Sequence, residues 1–232
     1  MEEFLTAHFW IAVGQIIMID ILLGGDNAVV IALACRGLPL HLRTKGILWG
    51  TAGAIVLRVI LIAFALTLLQ IPFLKLVGAL LLLWIGVKLL VPEQEDEHGK
   101  IQASDKLWAA VKTVIVADLV MSLDNVIAIA GAAQGAGSTH QLPLVIFGLL
   151  VSIPIIIWGS QLVLKLMDRF PIIITVGGML LGWIAGTMAH SDPAVIDYLP
   201  QTKAWNYGLG IAGALLVLVV GKLAERRAKP AV

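Results

Sequence analysis

The sequence predicts an all-α integral membrane protein with seven transmembrane helices, arranged as a 3+3 inverted-topology repeat plus one extra C-terminal helix. Three observations support this class. Of the 232 residues, 59% are hydrophobic and 13% are charged, and the mean hydropathy is +0.98. A soluble domain carries about 25% charged residues. The charges also cluster between apolar runs of about 20 residues, the length that crosses the hydrocarbon core of a bilayer.

The apolar runs define seven predicted spans. They cover residues 9–35, 46–69, 72–91, 107–133, 142–165, 171–189 and 205–222. The first run is too interrupted for a signal-peptide core and no cleavage site follows it, so we expect it to remain in the protein. Cys35 is the single cysteine, which excludes an internal disulfide and a thiolate metal cage.

Basic residues predict the orientation of the spans. They concentrate at alternate ends of the spans. The opposite ends carry Lys203 and, just inside the third span, Lys75. By the positive-inside rule, the N-terminus is outside and the C-terminus is cytoplasmic, in the inner (cytoplasmic) membrane. An even number of spans would destroy this asymmetry. The residues at the predicted cytoplasmic ends are Arg36, Arg43, Lys45, Lys88, Lys100, Lys106, Lys112, Lys165, Arg169, Lys222, Arg226, Arg227 and Lys229.

An internal repeat relates the first three spans to the next three. The segment Asp20–Asn27 matches Asp118–Asn125, and Gly50 matches Gly148 at the same offset. With one residue of slippage, the third span continues the match into the sixth. Because the unit has three spans, its second copy crosses the membrane in the opposite direction, and such repeats hold substrate sites near the bilayer midplane. The later matches are Pro72, Val77, Gly78, Leu81, Trp84 and Ile85 with Pro171, Val176, Gly177, Leu180, Trp183 and Ile184.

The repeat divides the chain into four parts. Residues 1–91 form the first repeat, 92–106 a cytoplasmic linker, 107–190 the inverted second repeat, and 191–232 an external loop, the seventh helix and a cytoplasmic tail. The linker is acidic, which indicates either a solvated connection or a metal-gathering or regulatory loop. The histidines and aspartates at positions 8, 140, 190, 192 and 197 are predicted to be external surface residues.

Four aspartates inside predicted spans are the candidate site: Asp20, Asp26, Asp118 and Asp124. An ionised carboxylate at the bilayer centre costs at least about 2.5–3.5 kcal/mol. Arg58 is the one basic residue deep in a span, so it cannot neutralise all four. It is either a structural partner of one aspartate or a mobile counter-ion. A cation or protons must supply the remaining charge.

The ligand types predict which cation. Carboxylates, the amides of Asn27 and Asn125, and backbone carbonyls are hard oxygen donors that suit Mg²⁺, Ca²⁺ or Mn²⁺. In an unbroken helix Asp20 and Asn27 stand about 10 Å apart along the axis, so one ion binds both only if the helix unwinds. Gly24 and Gly25 favour unwinding in the first span; the matching Ser122–Leu123 favours it less. Met121 is an apolar filler by default, with a soft ligand for Mn²⁺ as the alternative.

The paired motifs GGDNAVVIA and MSLDNVIAIA resemble those of the TerC integral-membrane family, and the likeness extends from the first span to the seventh. The resemblance implies an inverted-repeat cation exporter, short and membrane-only, of a family first linked to tellurium resistance. Members are implicated in Mn²⁺ efflux and in supplying metal to secreted enzymes. The resemblance makes Asp20, Asp26, Asn27, Asp118, Asp124 and Asn125 the expected metal set. The choice of Mn²⁺ over Ca²⁺ rests on the resemblance.

The expected function is therefore export of a divalent cation from the cytoplasm, in exchange for protons, by a protein that is not an enzyme. We expect no permanently bound cofactor and no nucleic-acid partner. The expected partners are the divalent ion, the lipid bilayer, and either further copies of the chain or secretion machinery. Two alternatives stay open: an exporter of an amino acid or other small solute on a related fold, and an intramembrane aspartyl protease. The Tyr-Asp and Gly-x-Gly-Asp motifs of such proteases are absent.

Overall fold

Seven α-helices and no strand make up the part of the chain that the structure, a computed structural model, describes: residues 7–64, 71–91, 103–134 and 141–228. This confirms the all-α class. In chain order the helices are α1 (Ala7–Cys35), α2 (Leu40–Ala63), α3 (Leu74–Leu90), α4 (Ala103–Gln134), α5 (Gln141–Arg169), α6 (Ile172–His190) and α7 (Lys203–Ala228).

Four of these helices are long and apolar enough to cross a membrane, counting only residues that the structure describes: Leu40–Ile62, Ile146–Arg169, Ile172–His190 and Lys203–Arg227. Large apolar side chains also cover the outside of the bundle. Leu80, Trp158, Ile172 and Val219 are each more than half exposed. A soluble monomer rarely exposes so much contiguous apolar surface, so the fold is that of an integral membrane protein. The count of seven spans and the orientation stay predictions.

The second predicted span differs from the helix described, and the end of the predicted linker overlaps a helix. The described helix α2 begins at Leu40 rather than at 46, directly after Pro39, whose fixed φ suits a helix start. It ends at Ala63, where the N–H of Phe64 turns back to the carbonyls of Leu61 and Ile62; residues 65–69 lie outside the described residues. Helix α4 begins at Ala103, so the end of the predicted 92–106 linker is helical, and residues 92–102 also fall outside the described ranges.

The helices of the two predicted repeats pack across one another rather than within each copy. Helix α1 packs mainly on α5 and also on α4, α2 packs mainly on α4, and α3 packs mainly on α6. The core between them holds Leu33, Leu82, Val114, Met121 and Leu181. Helix α7 covers α6 and α3.

Small residues allow these close approaches. A Cβ added to Gly50 on α2 would lie 2.9 Å from Val114 of α4. At Gly182 and Gly186 on α6, it would collide with the backbone carbonyls of Gly213 and Leu209 on α7. These glycines are packing residues, because any side chain would separate the helices.

The loop after α6 anchors the start of α3. The side chain of Asp192 accepts hydrogen bonds from the backbone N–H groups of Phe73 (3.0 Å), Leu76 (3.0 Å) and Ala194 (2.7 Å). Phe73 has φ 66°, a left-handed conformation rare for a bulky side chain. Asp192 therefore acts as an N-cap supplied by a distant segment, satisfying donors at the start of α3 that would otherwise lack partners.

Lys75, His190, Ser191 and Asp192 form a fully hydrogen-bonded group, here called the loop cluster. Lys75 Nζ donates to Ser191 Oγ at 3.2 Å, and His190 Nε2 lies 3.1 Å from the carbonyl of Pro200. His190 is 3% exposed and Asp192 is 0% exposed. The prediction that these two residues are surface residues is wrong, because the loop folds back onto the helix ends. Asp197 is exposed as predicted; the side chains at positions 8 and 140 are not described.

Backbone donors govern the charge of Asp192. Burial raises the pKa of its carboxyl, but hydrogen bonds from backbone N–H groups, chiefly those of Ala194, Leu76 and Phe73, outweigh that effect. The pKa is therefore lowered from the ordinary value of 3.8, and the side chain is a carboxylate at neutral pH.

Candidate ion site

Helices α2 and α4 meet at a buried ion pair. Arg58 Nη2 lies 2.5 Å from Asp118 Oδ1, and the two side chains are 3% and 7% exposed. Arg58 Nε also donates to Ser122 Oγ at 3.1 Å, while that hydroxyl donates to Asp118 Oδ2 at 3.1 Å. Both carboxylate oxygens of Asp118 are thus occupied by donors of the protein.

Such a closed triad is what makes a buried ion pair tolerable. Removing two charges from water costs several kcal/mol for each ion, and their attraction compensates only with good geometry and further hydrogen bonds. Ser122, 0% exposed, supplies the further bonds. The predicted pairing of Arg58 with one aspartate is therefore observed, and its partner is Asp118. A cation that binds Asp118 would compete with the guanidinium and the Ser122 hydroxyl for its oxygens.

Helix α1 brings a second carboxylate to this pair. Asp26 is half-buried, and its Oδ1 accepts the backbone N–H of Asn27 at 2.9 Å. It lies within electrostatic range of both Arg58 and Asp118. Three helices of the two predicted repeats therefore contribute charge to one region, although Arg58 is the one cationic side chain identified there among the described residues.

Asn27 is the least satisfied polar group of this region. Its side chain is 3% exposed, and neither Oδ1 nor Nδ2 has a hydrogen-bond partner. A buried polar group without a partner costs about 1–3 kcal/mol, and such groups in native proteins call for an explanation. An oxygen that faces no donor is available to a ligand. We call Asp26, Asn27, Arg58, Asp118 and Ser122 the central cluster.

The other predicted ligands are described only in part. Asp20 and Asp124 lie within α1 and α4, but their side chains are outside the described part of the structure. Asn125 is half-buried on α4 and has an interaction of its own. Among the described residues, no group of three His, Cys, Asp or Glu side chains is arranged to hold a metal ion. The predicted six-residue set therefore stays a prediction.

The expected unwinding of the first span is not present. Helix α1 is continuous from Ala7 to Cys35 through Gly24 and Gly25, and α4 is continuous through Ser122 and Leu123. Continuous helices keep backbone polar groups paired in an apolar environment. An added Cβ at Gly25 would meet nothing within 4 Å, so close packing does not account for that glycine.

The sequence predicts some residues of the central cluster better than others. The role of Ser122 was missed, although its spacing from Asp118 places both on one face of a helix and was a usable signal. Met121 lies in the apolar core, 4% exposed, as expected of a filler. No pattern in the sequence assigns Arg58 to Asp118 rather than to another aspartate.

A bundle of long apolar helices with a buried cluster of charges defines a polytopic membrane protein. The sequence profile of the Integral membrane protein TerC family matches residues 5–229. The chain belongs to that family, which confirms the resemblance seen in its motifs.

Curated relatives agree with the assignment. The Bacillus subtilis (strain 168) protein called Uncharacterized membrane protein YjbE is 44% identical over 186 residues, 80% of this chain and 82% of the relative. Uncharacterized membrane protein YceF of the same organism is 27% identical, and the match covers 78% of this chain and 72% of the relative. The Escherichia coli (strain K12) UPF0053 inner membrane protein YgdQ is 25% identical, and the match covers 70% of this chain and 73% of the relative. No solved structure matches the chain significantly.

Proposed function

We propose that the protein exports a divalent metal cation, Mn²⁺ by the family resemblance, from the cytoplasm in exchange for protons. The ion would bind between two inverted three-helix repeats of the inner membrane. Its ligands would come from Asp20, Asp26, Asn27, Asp118, Asp124 and Asn125, with Arg58 as the counter-ion of the empty site. The observation that carries the proposal is the central cluster, in which Arg58 pairs with Asp118 of α4 and interacts electrostatically with Asp26 of α1, while the neighbouring amide of Asn27 has no partner.

The packing of the helices supports the inverted repeat. The first helix of each copy packs on the second helix of the other, since α1 meets α5 and α2 meets α4. The third helices, α3 and α6, meet each other, as do the first helices, α1 and α4. A pseudo-twofold axis in the membrane plane generates these pairs, and substrate sites of inverted repeats lie on it.

Charge balance supports proton coupling. Four aspartates and Arg58 carry a formal charge of −3, which a divalent ion reduces to −1. One uncompensated charge in a low-dielectric cavity is costly, and protonation of a carboxylate removes it. Protons and metal would then compete for the same groups, which is the minimum requirement for exchange.

Arg58 would act in the empty site as an internal competitor of the metal. Its guanidinium occupies one oxygen of Asp118, the position that a metal ion would take. The Arg58→Gln variant should retain metal affinity but couple metal to protons less tightly, because removing a positive charge favours both competing cations.

The test is Mn²⁺ flux in proteoliposomes with an imposed proton gradient. We expect flux to follow the gradient, with metal affinity rising across about pH 5.5 to 8 as carboxylates lose protons. Asp26→Asn should reduce affinity at least about tenfold, because removing a charged ligand costs more than about 1.4 kcal/mol. Asp197→Asn, a change of the same charge at an exposed aspartate in the loop after α6, is the matched control.

Three outcomes would contradict the proposal. Flux indifferent to the proton gradient, with affinity flat over the pH series, would favour a uniporter or a metal channel. Equal losses in Asp26→Asn and Asp197→Asn would remove the central cluster from the metal path. Flux of an amino acid without any of Mn²⁺ or Ca²⁺ would support the organic-solute exporter instead.

A further inference from the structure

Two adjoining cavities lie where α3 ends and α4 begins. One has a volume of about 410 Å³ and is lined by the end of α1, the end of α3 and the start of α4. The other, of about 490 Å³, lies between α3 and α4. They share Lys88, Ala109 and Thr113, so they lie side by side, and together they are here called the basic groove.

The groove is strongly basic. Among the described residues that line it, four are basic and Asp105 is acidic. Lys88 and Lys112 are exposed, so their ammonium groups can meet a ligand that enters from outside the bundle. A net positive site between membrane helices suits an anion. The basic residues are Arg36, Lys88, Lys106 and Lys112.

Two tryptophans place the groove at a membrane surface. Trp84 and Trp108 line it and are 59% and 61% exposed, and Lys88 Nζ lies 5.1 Å from the ring centroid of Trp84. Tryptophan with an exposed face is typical of the headgroup level of a bilayer. Toward the start of α3, Val77 and Leu80 continue the exposed surface at 54% and 61%, so an apolar strip leads from the basic groups into the hydrocarbon region.

We propose that the basic groove binds an anionic phospholipid of the cytoplasmic leaflet. The phosphate would lie among the lysines, between the two indole rings, and an acyl chain would follow the apolar strip of α3. A lysine near an anionic headgroup contributes roughly a fivefold gain in affinity. The amphipathic shape favours a lipid over a soluble phosphate, because a soluble ion would leave the tryptophans and the strip uncovered. The proposal requires the predicted orientation of the chain but not metal transport.

The test is native mass spectrometry of the full-length protein, without metal, after addition of equimolar phosphatidylglycerol and phosphatidylcholine. We expect the protein to retain phosphatidylglycerol preferentially. The Lys88→Gln/Lys112→Gln variant should lose roughly tenfold or more of that preference. The matched control is Lys45→Gln/Lys165→Gln, which removes the same charge from exposed cytoplasmic helix ends outside the groove, and it should keep the preference.

The contrary outcomes are distinct. Equal retention of both lipids by the wild type, or equal loss in the two double variants, would refute a specific site. Displacement of phosphatidylglycerol by inorganic phosphate alone would identify a phosphate site instead. Lipid-free dimers would indicate that a second copy covers the groove. Because Asp26→Asn leaves the groove intact, its lipid preference should be unchanged even if metal transport is lost.

Discussion

The central cluster and the loop cluster are both buried and both charged, but they differ in how completely their polar atoms are paired. In the loop cluster, Asp192 accepts three backbone N–H groups and Lys75 bonds Ser191. In the central cluster, the amide of Asn27 has no partner, and Arg58 stands near two carboxylates. Complete pairing is what a structural cluster needs, because each missing bond costs stability. The unpaired amide of Asn27 is what the proposed ion site requires, because its oxygen is free to bind a ligand.

The largest effect is expected when the buried ion pair between Arg58 and Asp118 is broken. Asp118→Leu leaves the buried guanidinium of Arg58 without a carboxylate, which should cost about 3–5 kcal/mol in the free energy of unfolding. The double variant Arg58→Met/Asp118→Leu should recover most of this, since replacing both partners of a buried pair by apolar residues is often neutral. Denaturant unfolding in detergent micelles is measured for four proteins: the wild type, Asp118→Leu, Arg58→Met and the double variant. If the double variant is as unstable as the sum of the two single variants, Arg58 and Asp118 are not coupled.

A smaller effect, of opposite sign, should follow when the unpaired amide is removed. Asn27→Val deletes a buried group without partners, so the protein should gain up to about 1–3 kcal/mol while Mn²⁺ flux falls. Thr51→Val is the matched control, because Thr51 is 2% exposed and its Oγ1 also lacks a partner, outside the repeated motif. Its flux should be unchanged. Loss of stability in Asn27→Val with normal flux would make Asn27 a structural residue and erase the contrast between the clusters.

The sequence predicted the helices better than it predicted either cluster. Apolar length and charge placement are set by the membrane and water around the chain, so five of the seven predicted spans agree within about four residues at both ends with the helices described. The second span differs at both ends, and α7 continues six residues beyond the predicted end at 222, to Ala228. The partner of Arg58 could not be predicted, because it depends on the rotation of α2 against α4. Asp192 was misplaced for a related reason: a polar residue in a loop is usually solvated, and only the folded loop shows that it caps α3.

The start of α2 shows a different limit. Hydropathy identifies the apolar part of a helix, whereas α2 begins at Leu40, several residues earlier, with His41, Arg43 and Lys45 in its polar first turns. A glycine pair can also suggest a break where the helix has none. Gly24–Gly25 permits unwinding, but the described α1 remains helical. Flexible residues make an unwound backbone possible. Unwinding would leave peptide groups unpaired in an apolar surrounding, however, and that cost keeps the helix continuous.

The smallest expected effect concerns the loop cluster and its pH dependence. Asp192→Asn keeps the size of the side chain but removes the charge that attracts three N–H groups, and loss of such a cap costs about 0.5–2 kcal/mol. Because the pKa of Asp192 is lowered from 3.8 in the folded protein, its contribution is complete above the pKa of the unfolded chain and is lost as pH falls through the folded pKa. The difference in unfolding free energy between wild type and Asp192→Asn should therefore be constant from neutral pH to about pH 5 and shrink below about pH 4.

Mn²⁺ flux should be unchanged in Asp192→Asn at neutral pH. A stability difference that persists undiminished at pH 3 would show that shape rather than charge holds the cap. A loss of flux matching that of Asp26→Asn would mean that the loop cluster belongs to the transport site.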